Sequence, residues 1–61
     1  MNLKVERAKR NLSQEQLSII SGVCRLTISN IERKGIENVQ IKIVRKIATA
    51  LDIPISQFFE D

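Results

Sequence analysis

The sequence predicts an all-α fold, and three observations carry that prediction. No stretch alternates apolar and polar residues in the manner of a half-buried strand. Ile41, Val44, Ile47, Ala48 and Leu51 recur at i, i+3, i+6, i+7 and i+10, one apolar stripe with Lys42, Arg45, Lys46 and Thr49 on the other side. From Ser13 to Glu32 the chain reads SQEQLSIISGVCRLTISNIE, two short helices joined by a tight turn at Gly22. The 61 residues make one domain, 1–61. A chain of this size buries only about 60% of the surface its unfolded form exposes. It needs an efficient helical core or a partner subunit.

Taken in order, the first helix is expected from Asn2 or Leu3 to Arg10. Leu3, Val5, Ala8 and the following Leu12 are its apolar content, with Lys4, Lys9 and Arg10 toward solvent. Asn11 can close it in the left-handed conformation, which Asn tolerates better than most residues. Ser13 is the N-cap of a second helix over 14–21, and Gln16, three residues on, completes a capping box. Leu17 and Ile20 should point inward, and the small Ser18 and Ser21 let another helix approach closely. Gly22 supplies the positive φ that ends this helix, and Val23 completes the turn.

The third helix, over 25–33, turns Ile28 and Ile31 inward and leaves Arg25, Leu26, Ser29 and Asn30 on its outer face. Cys24 holds its N-cap position, where a Ser or Thr oxygen is expected. The expectation is a small residue tolerated at a cap; the alternative is a redox-sensitive thiolate favoured by the helix N-terminus. Lys34 and Gly35 end the helix, with Gly35 left-handed. A loop over 36–39 follows, Asn38 or Gln40 caps the fourth helix, and Asp52-Ile53-Pro54 breaks it. Pro54 then starts a short fifth helix over 55–59.

Composition narrows the function classes. With no histidine and one cysteine, a Cys/His zinc site is excluded, as is an intrachain disulfide. No cofactor is expected. Catalysis is not expected either: acid–base work would fall to carboxylates or lysine, and no cluster of them is suggested. The two glycines lie too far apart for a phosphate-cradling loop. No apolar run approaches the ~18 residues of a membrane span, and a signal-peptide pattern is absent. The expectation is a soluble, cytoplasmic protein.

The net charge of +3 is unevenly spread. Lys4, Arg7, Lys9, Arg10, Arg25, Arg33 and Lys34 stand against Glu6, Glu15 and Glu32 in the first 35 residues, an excess of +4. The remainder carries −1, so the basic excess lies with the two-helix segment. A short exposed helix with a basic, amide-rich face suits the major groove of double-stranded DNA. Arg25 can pair with guanine O6 and N7, Asn30 has the geometry to read adenine, and Leu26 can pack on a thymine methyl.

Four motifs carry a family resemblance: L-S-Q-E-Q-L at 12–17, S-G-V at 21–23, T-I-S-N-I-E at 27–32 and K-I-A-T-A-L at 46–51. Each is weak alone; in this order and at these intervals they are specific. Over about 3–59 the chain resembles the Cro/repressor-type, or Xre-like, helix-turn-helix domain of phage repressors and many small bacterial regulators. The resemblance implies a compact five-helix, lambda-repressor-like fold. It also implies a transcriptional regulator, a repressor or autoregulator, bound as a homodimer to a two-fold operator through its third helix. By position, Arg25, Leu26 and Asn30 match base-contacting residues, with Ser29 a further candidate. Gln14, Thr27, Arg33, Lys34 and Asn38 fall to the phosphate backbone, and Gln14 can also brace the third helix. Arg7 and Glu32 match a basic–acidic pair joining the first helix to the end of the third.

Several positions depart from the family pattern. Cys24 replaces Ser or Thr, Ser18 stands where Ala is commonest, and Ile19 is apolar where a polar residue is usual. The loop after Glu32 is one residue longer. Ile55, Phe58 and Phe59 are the candidate dimer interface, with Phe58 also a candidate for the monomer core. The alternative function is a protein-interaction module on the same fold, coactivator-like or antitoxin-type. It would keep the core and lose the reading residues on the third helix.

Overall fold

The computed structural model describes residues 2–59. Its order is α1 (Leu3–Lys9), α2 (Gln14–Ser21), α3 (Arg25–Lys34), α4 (Ile41–Leu51) and a 3-10 helix (Ile55–Phe59). The architecture is all-helical, with no strand among the described residues. The expected five α-helices are corrected to four. The last segment is a single turn after Pro54, closed by an i+3 bond from the Gln57 amide to the Pro54 carbonyl at 3.0 Å. Five residues are too few to accumulate i+4 bonds, so the tighter helix forms.

Local chemistry sets the boundaries. The Asn2 side chain caps α1 by accepting from the Val5 amide. At α2 the Ser13 hydroxyl accepts from the Gln16 amide at 3.0 Å, while the Gln16 side chain accepts from the Ser13 amide at 2.8 Å. Each thereby satisfies an amide that the first turn leaves without a partner. Gly22 closes α2 in the left-handed region at φ 72°. Asn11 and Asp52, at φ 55° and 57°, take the same conformation after α1 and α4. Gly35 is not left-handed helical as expected: at φ 86° and ψ −173° it is in an extended, positive-φ region open essentially to glycine alone.

The core is built from Leu3, Leu17, Val23, Ile28, Ile31, Val44, Ile47, Ala48, Leu51 and Phe58. α2 packs on both α3 and α4, α1 lies against α3, and the 3-10 helix covers α4. Four apolar residues expected inside are not there. Ile20 is 53% exposed because it lies at the end of α2, and Val23, just past the turn, fills the interior instead. Ile41, in the first turn of α4, overhangs the core edge and is also 53% exposed. Val5 and Ala8 are exposed on α1, whose buried anchor is Leu3. No helix among the described residues is long and apolar enough to cross a membrane.

Candidate nucleic-acid interface

The outer face of α3 is defined by what its inner face must do. Ile28 and Ile31 are buried, so the helix cannot rotate without exposing them. Arg25 and Leu26 are consequently exposed, and Ser29 and Asn30 half-buried. Leu26 is 67% exposed, an apolar side chain that the monomer does not cover. The turn before α3 is tight: the Gly22 amide donates to the Ser18 carbonyl at 2.9 Å, and the Val23 amide to the Ser21 hydroxyl at 3.1 Å.

The far end of α3 is held by a network centred on Glu32. Arg7 Nε donates to Glu32 Oε2 at 2.7 Å and Arg7 Nη2 to Oε1 at 3.2 Å, a two-pronged pair. Gln14 Nε2 donates to the same Oε1 at 3.1 Å. Arg7 Nη1 donates to the Leu12 carbonyl at 2.7 Å. One guanidinium thus ties α1, the connection before α2 and the end of α3 together. Burial pushes the Glu32 carboxyl up, but hydrogen bonds from Arg7 and Gln14, with the charges of Arg7 and Lys4, outweigh it and hold its pKa below the ordinary range. The Glu32 hydrogen bond raises the Arg7 pKa further. Gln14 therefore braces α3, and one of its amide protons is already committed to Glu32.

A groove runs between α3 and the loop before α4, lined by Thr27, Asn30, Lys34, Asn38 and Gln40. Thr27, Lys34 and Asn38 of the expected phosphate-contacting set meet there, beside Asn30 of the reading set. Arg33 is exposed on the same helix and donates from Nη2 to Asn30 Oδ1. Reading adenine takes both the oxygen and the amide group of an asparagine; the Asn30 oxygen keeps a second lone pair beside the one that Arg33 engages. Gln40 holds the N-cap position of α4 without a side-chain cap bond.

Cys24 is exposed at the N-cap of α3 and makes no cap hydrogen bond. The Thr27 and Leu26 amides lie toward its sulfur and lower the thiol pKa, with a smaller contribution from the Thr27 side chain.

The C-terminal candidates divide. Phe58 is 6% exposed and belongs to the core, the second of the two places expected for it, which leaves its ring little surface for the expected dimer interface. Phe59 is 59% exposed and Ile55 half-buried. Sequence reasoning did not find the Leu12 carbonyl as a partner of Arg7, because a backbone acceptor leaves no mark on residue type. The i, i+4 spacing of Glu6 and Arg10 did carry a signal for their contact at 3.1 Å. A helix-turn-helix family model matches residues 3–58. No curated protein matches the chain.

Proposed function

The chain belongs to the Cro/repressor-type helix-turn-helix family, and from that premise we propose that it is a sequence-specific transcriptional regulator. It acts as a repressor or autoregulator, binding a two-fold operator as a homodimer with α3 in the major groove of each half-site. The observation that carries this reading is the combination of exposed Arg25 and Leu26 on a helix whose other face is buried and whose far end is pinned through Glu32. A helix held at both ends presents its outer face in one orientation, which base reading requires.

In this reading Arg25, Leu26, Ser29 and Asn30 meet base edges. Thr27, Arg33, Lys34, Asn38 and the α2 start at Gln14 meet phosphates. Arg7 and Glu32 orient α3 and touch no base.

Random-site selection on the purified protein, followed by salt titration on the selected duplex, tests the proposal. The logarithm of affinity should fall with log salt by about 0.9 per phosphate contact. Arg25→Ala should relax the preference at one base pair, by about 1–3 kcal/mol, while Lys34→Ala should weaken all sequences equally and reduce the salt slope by about 1. No binding to any duplex at low salt would sink the reading. Uniform weakening by Arg25→Ala would remove that residue from the base-contacting set.

A further inference from the structure

We propose that the groove between the end of α2 and the outer face of α4 is a docking site for an acidic, amphipathic segment of a protein partner. Ile20 and Ile41, each 53% exposed, line this groove with Lys42, Arg45, Lys46 and Thr49. On α4, Lys42, Arg45, Lys46 and Thr49 lie on the side away from the buried stripe of Val44, Ile47 and Leu51, and Ile41 sits at the border between the two.

The groove combines two chemistries that one occupant must answer. Ile20 and Ile41 each leave about half their surface in water, and covering them is favourable only with apolar atoms. Lys42, Arg45 and Lys46 form no ion pair among the described residues. They would select carboxylates at the rim of an apolar contact. A second copy seated here about a two-fold axis would bring three cations against three, which disfavours self-association through this face. The phosphate backbone would satisfy the cations but leave both isoleucines uncovered. An amphipathic helix with leucines on one side and glutamates flanking them answers both demands.

The face is distinct from the outer surface of α3, so it can be filled while α3 reads DNA. The site gives a regulator of this size a place to contact a second protein on the operator.

The test uses the whole chain and three synthetic helical peptides. The first has leucines at i, i+3, i+4 and i+7 flanked by glutamates; the second has lysines for the glutamates; the third has alanines for the leucines. Amide chemical-shift changes and fluorescence anisotropy report binding. The acidic leucine peptide should bind and shift Ile20, Ile41, Arg45 and Thr49, and the two control peptides should bind at least tenfold more weakly. R45E/K46E should lose at least tenfold affinity for that peptide with an unchanged helical CD spectrum. Binding of a selected duplex should be unaltered by the same variant. The proposal is overturned by equal binding of all three peptides, by no binding of the acidic leucine peptide up to about 1 mM, or by shifts confined to α3. It is overturned equally if R45E/K46E lowers duplex affinity and salt slope, which would make the row a phosphate contact. Concentration-dependent shifts of these residues without peptide would make the face a self-interface and also overturn it.

Discussion

At the scale of single residues, Arg7 and Glu32 matter most, because their pair joins three parts of the chain through one guanidinium. Their side chains are only 15% and 6% exposed, so removing one partner leaves a desolvated charge. Arg7→Ala should cost about 3 kcal/mol or more, a large fraction of what so small a domain has, and a urea melt would measure it. The pH dependence has a definite sign. The folded pKa of Glu32 is depressed, so the unfolded chain binds the proton more readily. The stability contributed is full above the ordinary carboxylate value of about 4.3 and is lost as pH falls through it toward the lower folded value. Glu6 is also depressed, through hydrogen bonds from Arg10 and then Lys9, but these partners reach it from the solvent-facing surface of its own helix, so it is a small contributor. Glu32→Gln should therefore flatten the acid limb of stability below the ordinary carboxylate value of about 4.3. An unchanged limb would place the acid sensitivity elsewhere. The pair itself could be anticipated from the T-I-S-N-I-E motif, whereas the bond of Arg7 to the Leu12 carbonyl could not, since any residue type supplies a carbonyl.

At the scale of elements, the helix ends carry most of what sequence reasoning could reach. Ser13 and Gln16 stand at the spacing a capping box requires, and the box forms with both bonds present. Ser13→Ala should destabilise by about 0.5–2 kcal/mol, with the loss appearing as faster amide exchange in the first turn of α2. Gly22 and Gly35 separate a legible case from an illegible one. Both have positive φ, and a Cβ at either would meet no atom within 4 Å, so any cost of substitution is conformational rather than steric. Gly22→Ala requires only the left-handed helical region and should cost about 1–2 kcal/mol. Gly35→Ala must hold an extended backbone at ψ −173°, nearly closed to other residues, and should cost more, up to about 3 kcal/mol. Thermal melts of the two variants rank them, and an equal loss would reject the distinction. A glycine after a basic last turn marks a helix end, but nothing local to Lys34-Gly35 specifies ψ, which the following loop decides. Ile20 and Ile41 were misplaced for a related reason: periodicity identifies a face, while the ends of short helices overhang the core it faces.

At the scale of the whole molecule, the proposed two-fold operator sets a length that a body of 24 × 20 × 19 Å must meet. Half-sites one helical turn apart lie about 34–36 Å from each other, farther than the described residues extend in any direction. The proposed two-fold operator therefore calls for two copies, each covering one half-site and meeting away from its own α3. The C-terminal 3-10 helix is the element with an apolar group to spare, since it leaves Phe59 59% exposed while Phe58 is sealed in the core. Adjacent residues of one turn thus have opposite fates, in line with the expectation that named Phe58 alone of the two as a core candidate, and the direction in which the 3-10 turn docks on α4 separates them. This determines which variant is informative. Phe58→Glu would bury a charge and unfold the domain, whereas Phe59→Glu alters a surface. Phe59→Glu should give a monomer in sedimentation, retain the helical CD spectrum, and weaken binding to a two-half-site duplex at least tenfold while leaving a single half-site duplex nearly unaffected. A dimer that survives the substitution would move the interface off this helix. Equal loss on both duplexes would mean that Phe59 supports α3 instead of a partner.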